Sequence, residues 1–402
     1  MKVLFVNKFF FPHGGAETVF LQEREMVKNT EGFEVIDFSM KHEKNLPSEQ
    51  SEYFVDNVDY NNEHGLKSKL KVSRDFIHNQ QACEKFERLI INEKPDIVHF
   101  HNIYHQLTPS IIKIAKKHGC KTILTAHDYK VACPGYGCLI DGKVFDVKNI
   151  NGSFVNLFKY QWHEGSWPKS FLMSCEAVFH GLKKSYENID TFVAPSAFMK
   201  SMIKTRLPNA NVQVIVNGID ASTTEIGEDG GYFLYCGRLS PEKGVPTLAQ
   251  AHSLMKADVP LKVLGNGPVK ELIEQQYPNV ELLGFRQGEE LFNIIKNAKA
   301  VIVPSEWYEN CSMSVIEAMS YGKPVIGGNI GGIPEQVIDG ETGFLFEPGN
   351  AQELANKLDI LADNPELVKS MGLKARERMI NKYSLEVHKR ELIALYHSLA
   401  GK

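Results

Sequence analysis

The stretch AVIVPSEWYENCSMSVIEAMSYGKPVIG, residues 300–327, has the pattern of a strand, a helix and a second strand. Its first apolar run predicts a buried strand, and Ser312 is a suitable N-cap for a helix over 313–321. Gly322 and Pro324 end that helix, and the apolar run at the end of the stretch predicts the next strand. Because a strand-helix-strand unit joins parallel strands, this stretch predicts an α/β fold.

The same alternation of short β-branched runs and longer amphipathic stretches continues along the chain. Strand candidates occur at 2–7, 33–38, 96–100, 121–127, 191–195 and 212–217, and again at 232–236, 261–265, 280–284, 300–304, 323–327 and 343–346. Two sets of six strands predict two doubly wound, Rossmann-like domains that face a central cleft. The polar, glycine-rich segment 217–231 is the expected boundary, which gives domains over 1–218 and 219–383.

Composition places the chain among soluble globular proteins. It has 402 residues, of which 43% are hydrophobic and 23% charged, and its net charge of −4 gives no argument for a nucleic-acid partner. The seven cysteines are scattered, which favours reduced thiols in the cytoplasm; Cys133 and Cys138 flank PGYG, but no second pair of metal ligands is evident. Lys8 interrupts the apolar N-terminus, which predicts a strand rather than a signal peptide, and no apolar run is long enough to span a membrane.

Ligands of open α/β sheets bind beyond the carboxyl ends of the strands, so the residues that follow each strand are the candidates. In the first half, Gly14 and Gly15 precede a helix whose free N–H groups suit an anion, although a simple tight turn has the same pattern. His127 ends the strand at 121–127, either as a group facing the cleft or as an ordinary packed histidine.

In the second half, Arg238 and Lys243 follow a strand and precede a helix, which is typical of a site for a diphosphate and also of two solvated cations. Gly265 and Gly267 follow the next strand but lack the third glycine of a dinucleotide fingerprint.

Glu309 and Glu317 admit three interpretations: an acid/base pair, two unrelated surface charges, or two groups that bind ligand hydroxyls. Glu309 precedes the helix predicted over 313–321, and Glu317 lies in its second turn. Eight helical steps would leave them roughly 80° apart, which is poor geometry for paired carboxylates. The spacing suits a ligand spread along the helix start, with an anion held by N–H groups near Ser312–Ser314.

Several motifs, taken together and in order, resemble the retaining family-4 glycosyltransferases of GT-B fold. They are GGAE (14–17), TAHD (125–128), APS (194–196), VNGID (216–220), CGRLSPEKG (236–244), GNGP (265–268), and the E-x7-E stretch that continues through GKPVI and GGIPE to GETGFLF. The similarity spans nearly the whole chain. It implies that the final helix, over 384–402, crosses back to the first domain.

The resemblance also implies site roles. Arg238 and Lys243 would bind the donor diphosphate and Glu309 the transferred sugar, and the resemblance places these three and His127 at the reacting centre. The other donor-binding residues that it implies are Gly14, Gly15, Gly265, Gly267, Phe285, Asn310, Ser312, Met313 and Glu317. Among them, Glu317 would bind the ribose and Phe285 would lie beside the base. Neither a metal ion nor another cofactor is expected.

The expected reaction is transfer of a sugar from a UDP- or GDP-sugar to a glycan or a polyprenyl-linked glycan, in the biosynthesis of a surface polysaccharide such as capsule or lipopolysaccharide. The second hypothesis is a nucleotide-sugar epimerase of the same two-domain architecture, and the third is a binding protein without catalysis. The expected location is the cytoplasm or the inner face of the cell membrane.

Two regions bear on the acceptor. Residues 130–190 resemble a segment of bacterial relatives that build surface polysaccharide, and the segment is rich in aromatics: Phe158, Tyr160, Trp162, Trp167 and Phe171. They are suited to stacking on a sugar, entering a bilayer surface or packing a subdomain. Residues 65–121 hold eleven Lys/Arg against five Asp/Glu, which is typical of a face for anionic lipid and equally of a solvated helix face.

Overall fold

The computed structural model describes residues 1–57, 66–150, 152–222 and 224–401, with residues 66–70 described for the backbone alone. Two parallel six-stranded sheets with helices on their faces confirm the predicted pair of Rossmann-like domains. Each of the twelve predicted strands is present, most of them shorter by one to three residues.

The first sheet has the strand order β2-β1-β3-β4-β7-β8. The strands of this half are β1 (Lys2–Val6), β2 (Glu34–Phe38), β3 (Ile97–Phe100), β4 (Lys121–Thr125), β5 (Leu139–Ile140), β6 (Lys143–Val144), β7 (Thr191–Ala194) and β8 (Val212–Val214). Strands β5 and β6 form a separate antiparallel hairpin inside the segment 130–190. The helices are α1 (Gly15–Lys28), α2 (Leu66–Ile77), α3 (Gln80–Glu93), α4 (Ser110–Lys117), α5 (Trp167–Leu182) and α6 (Ala197–Arg206).

The second sheet has the order β11-β10-β9-β12-β13-β14. Its strands are β9 (Phe233–Cys236), β10 (Leu261–Leu264), β11 (Val280–Gly284), β12 (Ala300–Val303), β13 (Val325–Gly328) and β14 (Gly343–Phe346). The helices are α7 (Val245–Leu254), α8 (Lys270–Gln276), α9 (Gly288–Lys296), α10 (Met313–Ser320), α11 (Ile333–Gln336), α12 (Ala351–Asp363), α13 (Pro365–Tyr383) and α14 (Leu385–Ala400).

Both faces of the first sheet are buried, as the continuous apolar runs of parallel strands require. In β1, Leu4 and Val6 belong to one apolar cluster, whereas Val3 and Phe5 belong to the cluster on the other face. Most residues inside these strands are apolar, and the polar exceptions such as His99 and Asp37 are buried.

Helix α14 packs against the first sheet although α13, which precedes it, packs in the second domain. Leu392, Leu395 and Tyr396 share an apolar cluster with Val3 and Phe5. The chain makes this crossing beside the segment that joins the two sheets, because Ile219 exchanges backbone hydrogen bonds with Tyr383 and Leu385. The last helix thus ties the two domains together behind the cleft.

Candidate functional site

A cavity of about 380 Å³ lies between the domains at the carboxyl ends of their strands. Gly15, His127 and Tyr136 line it from the first domain, and Lys243, Glu309 and Met313 line it from the second. The first residues of α1 and of α10 both border this space, so two helix N-termini face one cavity. Such termini present unsatisfied N–H groups and a partial positive charge, which suits an anion.

The structure brings seven of the sequence-predicted site residues together around this cavity. They are Gly15, His127, Lys243, Glu309, Asn310, Ser312 and Met313. The other six are absent from its lining: Gly14, Arg238, Gly265, Gly267, Phe285 and Glu317. Apart from Gly14, the residues of this second group follow strands β9–β11 or lie within α10, at one edge of the cleft.

Lys243 and Glu309 form an ion pair on the floor of the cavity. Lys243 Nζ donates to Glu309 Oε1 at 2.7 Å, and the same oxygen accepts from Ser305 Oγ at 2.8 Å and from Trp307 Nε1 at 2.9 Å. Burial alone would raise the pKa of Glu309, but Lys243 and the other donors outweigh it and hold the pKa below its usual value. Glu309 is therefore an anion at neutral pH, and its Oε1 already accepts three hydrogen bonds.

Arg238 differs from Lys243 because its side chain is exposed and has no acidic partner among the described residues. Its backbone carbonyl accepts a hydrogen bond from Tyr235 Oη at 2.7 Å, which fixes the loop that carries it. The second domain thus offers one cation that is already paired and one that is free for a ligand.

His127 reaches the cavity from the first domain and leads back to a buried group of polar residues. Its Nε2 lies 2.8 Å from His101 Nδ1, and behind His101 the carboxylate of Glu23 accepts a hydrogen bond from His388 of α14 at 3.1 Å. Burial lowers the pKa of His127 to about 4, so the imidazole is neutral at physiological pH. The side chain can therefore exchange hydrogen bonds with a sugar without carrying charge.

Glu23 and His388 form the charged pair of this group. Burial raises the pKa of Glu23, but the bond from His388 and the neighbouring histidines reverse the shift and lower it. Burial lowers the pKa of His388, but Glu23 outweighs that effect and raises it. The pair joins α1 to α14, and His388 Nδ1 also donates to the carbonyl of Val216 at 2.6 Å.

Glu23, His99 and His101 are the described residues whose ligand atoms lie close enough together to hold a metal ion, all within 4.8 Å of one another. Both ring nitrogens of His99 already have partners, at 2.7 Å to Tyr396 Oη and 2.7 Å to Thr125 Oγ1. Two ligands would remain, fewer than the three or four protein ligands of zinc sites. Cys133 and Cys138 lie with their sulfurs 2.9 Å apart, and no described third ligand accompanies them.

Ser312 holds the N-cap position of α10 but does not cap the helix with its side chain. Its N–H donates to Gln336 Oε1 at 2.8 Å, so this amide, which the sequence assigned to an anion, is already occupied. The N–H groups at the helix start that remain for a ligand begin with Met313.

Glu317 is half-buried in α10, and no described side chain donates a hydrogen bond to its carboxylate. Burial raises its pKa to about 7. A carboxylate without a partner at the edge of the cleft has unused hydrogen-bonding capacity for ligand hydroxyls.

Two of the predicted ligand-binding glycines serve the fold itself. A Cβ on Gly265 would lie 1.9 Å from the carbonyl oxygen of Gly237, and one on Gly267 would lie 2.2 Å from that of Leu239. These glycines let the loops after β9 and β10 pack backbone against backbone. By contrast, a Cβ on Gly15 would meet nothing within 4 Å, because this residue borders the open cavity.

Gly14 has no conformation that requires glycine, because its φ of −161° is ordinary extended backbone. Phe285 follows β11 with 64% of its surface exposed, available to a planar partner. It projects from the loop at the edge of the second sheet, outside the cavity lining.

Asn310, predicted to bind the donor, lines the cavity and also links the two domains. Its Nδ2 donates to the carbonyl of Ala126 at 3.0 Å, and its Oδ1 accepts from Ser196 Oγ at 3.2 Å. Glu335 makes a second link by accepting from the N–H groups of Ala197 and Phe198 at 2.7 and 2.6 Å, at the start of α6. Both links hold the domains close together beside the cavity.

Four residues near the site were missed by sequence reasoning as functional groups: Glu23, His101, Trp307 and Glu335. His101 had a usable signal, because HFHN at 99–102 places two histidines at the end of a buried strand. The indole of Trp307 supports Lys243, whose Nζ lies 4.8 Å from the ring centroid. Glu335 and Glu23 depend on contacts with the other domain or with α14, which no local pattern predicts.

The aromatic residues of 130–190 separate into two groups. Tyr160 and Trp162 pack with Phe145 in a subdomain core, with ring centroids 4.7 and 5.2 Å from that of Phe145. Phe158, Trp167 and Phe171 are exposed. The packing interpretation therefore holds for the first group alone.

The basic run over 65–121 does not form one unpaired face within its described part. Its cations are spread over three helices, and Lys116 pairs with Asp190 while Lys117 pairs with Glu87 at 2.9 Å. Residue 65 and the side chains of 66–70 lie outside the described residues. Among the helices that are described, none is both long and apolar enough to cross a membrane.

The two facing Rossmann-like sheets place the chain in the GT-B class of folds. The structure of sucrose-phosphate synthase from Thermosynechococcus elongatus matches with a TM-score of 0.73 at 19% identity, over 99% of this chain and 98% of that one. Anabaena HepE in complex with UDP-glucose matches with a TM-score of 0.67 at 17% identity, over 99% and 100%. At these identities the likeness establishes the fold.

The family follows from the sequence models. The model of Glycosyltransferase Family 4 matches residues 13–223, slightly more than half of the chain, and the model of Glycosyl transferases group 1 matches residues 219–378. The chain belongs to glycosyltransferase family 4. This membership does not favour the epimerase hypothesis.

Relatives with assigned names match parts of the chain. An uncharacterised glycosyltransferase of Methanocaldococcus jannaschii is 31% identical over 48% of this chain, and the lipopolysaccharide 1,2-N-acetylglucosaminetransferase of Salmonella typhimurium is 31% identical over 50%. The chain spans 56% and 60% of the lengths of these two relatives. An uncharacterised 42.6 kDa protein in the cps region of Klebsiella pneumoniae is 25% identical over 83% of this chain and 87% of its own length.

Proposed function

We propose that this chain is a retaining glycosyltransferase that moves a sugar from a UDP- or GDP-sugar to a glycan or a lipid-linked glycan in polysaccharide biosynthesis. The observation that carries the proposal is the convergence of two helix N-termini and Lys243 on one cavity between the domains. Expulsion of a nucleoside diphosphate develops negative charge, and fixed positive groups in a closed cleft stabilise that charge.

The polar groups around the cavity fit the parts of a nucleotide sugar in order. The diphosphate would lie between the start of α10 and the cations Lys243 and Arg238. The sugar hydroxyls would contact Glu309 from below and His127 from the first domain. The ribose would extend along α10 to Glu317, with the base beside the exposed ring of Phe285.

The proposal includes catalysis without a metal ion. Lys243, Arg238 and the N–H groups of α10 supply the positive charge that a divalent cation provides in other phosphate sites. The proton of the acceptor hydroxyl would pass to the departing phosphate, because the free oxygen of Glu309 is committed to the donor sugar. Asp128 also lines the cavity, and burial raises its pKa to about 6.

Named relatives support the donor and the pathway. The solved complex of Anabaena HepE contains UDP-glucose, and the Salmonella relative acts on lipopolysaccharide. A glycan or polyprenyl-linked glycan acceptor would approach from the first domain, where Tyr136 and the insertion 130–190 border the cavity.

The test is a panel of UDP- and GDP-sugars, assayed for slow nucleotide release in the presence and absence of EDTA. We expect release from one nucleotide class, unchanged by the chelator, with the recovered sugar not epimerised. Anomeric proton NMR of a glycosylated product should show the donor configuration preserved. Product of inverted configuration would overturn the retaining assignment, and loss of release with EDTA would overturn metal independence.

A further inference from the structure

Helix α5 exposes three large apolar residues and buries four polar ones, although Met173, Ala177 and Val178 also pack against the core. At about 100° per residue, positions 167, 171, 175, 178 and 182 fall within an arc of roughly 80°. This arc contains Trp167, Phe171 and Leu182, which are 57%, 62% and 68% exposed. Four of the five buried residues of the helix are polar: Ser170, Ser174, Glu176 and His180. A surface helix of a soluble protein normally has the opposite arrangement.

The inward polar face is used by the fold. Glu176 pairs with Lys130 at 2.7 Å, and His180 Nε2 lies 2.9 Å from the carbonyl oxygen of Ile77. Ser174 Oγ donates to the carbonyl of Leu157 at 2.9 Å. These contacts fix the rotation of α5, so the outward position of its apolar face is built into the packing.

A neighbouring turn extends the apolar face. The segment Val155–Lys159 runs alongside α5, with the ring of Phe158 5.2 Å from that of Phe171. Val155 is 72% exposed. We call Val155, Phe158, Trp167, Phe171 and Leu182 the apolar strip. Five of the fifteen large apolar side chains exposed on the described surface lie in it, so the strip is a concentrated patch rather than scattered exposure.

Lysines lie next to the apolar strip at both of its ends. Lys159 follows Phe158 and Lys183 follows Leu182; both are exposed and have no acidic partner among the described residues. Lys169 is exposed as well, but at about 100° per residue it lies on the side of α5 opposite Phe171. Aromatic and aliphatic side chains between lysines match the interface of an anionic bilayer, where rings enter the headgroup region and ammonium groups meet phosphates.

Two other binding partners fit the apolar strip and its lysines less well than a bilayer does. A second copy of the chain, docked by two-fold symmetry, would bring the like-charged lysines of both strips together. A glycan also requires hydrogen-bond acceptors around the rings that stack on it, and the outward arc of α5 has none beyond the thiol of Cys175.

We propose that the apolar strip docks this chain on an anionic lipid bilayer, with α5 lying in the plane of the interface. The proposal stands on the surface alone and is independent of the reaction in the cleft. The strip belongs to the domain whose insertion borders the cavity through Tyr136, so a docked enzyme would meet membrane-anchored molecules on that side.

Flotation with phosphatidylcholine vesicles, with and without phosphatidylglycerol, tests the proposal. We expect the full chain to float with the anionic vesicles at low salt and to be partly released at high salt. The variant Trp167→Ser, Phe171→Ser, Leu182→Ser should bind the anionic vesicles at least roughly tenfold more weakly, because most of the inserted apolar area is gone. The matched control, Leu254→Ser, Leu272→Ser, Phe292→Ser, removes exposed apolar residues of the second domain and should bind normally.

Thermal unfolding of each variant confirms that it is folded. Trp167→Phe provides a second readout, because it retains apolar surface but removes one of three tryptophans. Vesicles should blue-shift the fluorescence of the wild type and not that of this variant. Absence of vesicle binding by the wild type, normal binding by the triple serine variant, or a persistent shift in Trp167→Phe would each overturn the proposal. A wild-type dimer in sedimentation that the triple serine variant converts to monomer would overturn it in favour of self-association.

Discussion

The two walls of the cleft are built on opposite electrostatic plans. The wall of the second domain carries charge at the surface of the cavity: Lys243 against Glu309 at 2.7 Å, with Arg238 exposed nearby. The wall of the first domain presents neutral His127 and a carboxyl group, that of Asp128, and its ion pair lies deeper, where Glu23 meets His388. A charged group beside a cavity can interact with a ligand, whereas a charged pair in the core contributes to the stability of the fold.

This difference predicts a division of labour. Substitution of Arg238, the exposed cation of the second wall, should lower the rate of transfer and leave the stability of the protein unchanged. Substitutions of the buried charges behind the first wall should lower the free energy of unfolding and leave the rate of sugar transfer largely unchanged. The two walls would then be separable in experiments that measure both quantities on the same variant.

The largest effect is expected for Arg238→Ala combined with Lys243→Ala. Loss of one such donor to a developing anion costs roughly 10²–10³ in rate, so the double variant should have almost no transfer. Arg238→Ala alone should leave the unfolding temperature unchanged, because the side chain is exposed and has no acidic partner among the described residues. Nucleotide release measures the rate of transfer, and thermal unfolding measures the unfolding temperature.

The matched control is Lys374→Ala with Arg390→Ala, which removes one exposed lysine and one exposed arginine outside the cleft. It should retain wild-type rate. A double cleft variant with near-normal turnover would contradict both the donor site and the proposed role of the second wall.

The next effect is expected for Glu23→Gln, behind the first wall. The substitution leaves buried His388 without its counter-charge, and breaking a buried ion pair typically costs roughly 3–5 kcal/mol of unfolding free energy. Turnover at a temperature where the variant stays folded should fall far less than in Arg238→Ala. Denaturant unfolding and initial rates at low temperature provide the measurement.

Glu25→Gln is the control on the same helix, because Glu25 is exposed and lies outside this group. The Glu25→Gln variant should have the unfolding free energy and the initial rate of the wild type. If Glu23→Gln kept full stability and lost transfer, the first wall would be part of the catalytic machinery and the division of labour would be wrong.

The sequence predicted the parts of the molecule that depend on local pattern. Twelve apolar runs became twelve strands, because continuous apolar segments between turn residues leave few alternatives in an α/β chain. Glu309 was expected before α10 and Glu317 within it, and the structure has them there because Gly322 and Pro324 fix the end of that helix. Strand order and helix bounds set which residues lie near the cleft.

The remainder depends on contacts between distant segments. Asn310 was predicted to bind the donor, and the sequence did not predict that its amide also bonds to Ala126 and Ser196 of the other domain. Gly265 and Gly267 were predicted to bind the donor, and the sequence did not predict the carbonyl oxygens of the preceding loop that leave no space for a Cβ there. The amide of Ser312 is taken by Gln336, which is distant in sequence. A single sequence identifies the residue at each position, but it does not show which distant residues that residue contacts in the fold.

The smallest effect concerns Glu317, a group of the second wall whose charge should vary near neutral pH. Burial raises its pKa to about 7, so the neutral form predominates below that pH and the carboxylate above it. Ribose hydroxyls donate to a carboxylate better than to a neutral acid, so donor binding should tighten as pH rises. The ionised fraction grows roughly tenfold between pH 6 and pH 8, and the dissociation constant should fall by up to that factor.

Titration calorimetry with the nucleotide sugar that the enzyme accepts measures this change, because the diphosphate diester of a nucleotide sugar keeps its charge over the same range. Glu317→Gln should bind at both pH values with about the affinity of the wild type at low pH, since its amide has no proton to lose. Glu366→Gln, exposed on α13, should retain the wild-type pH dependence. A wild-type profile in which binding weakens with rising pH, or a Glu317→Gln profile that still changes with pH, would assign the titration to another group, of which Asp128 is the nearest in pKa. In that case the pH response would belong to the first wall, and the assignment of ligand-binding charge to the second wall alone would have to be revised.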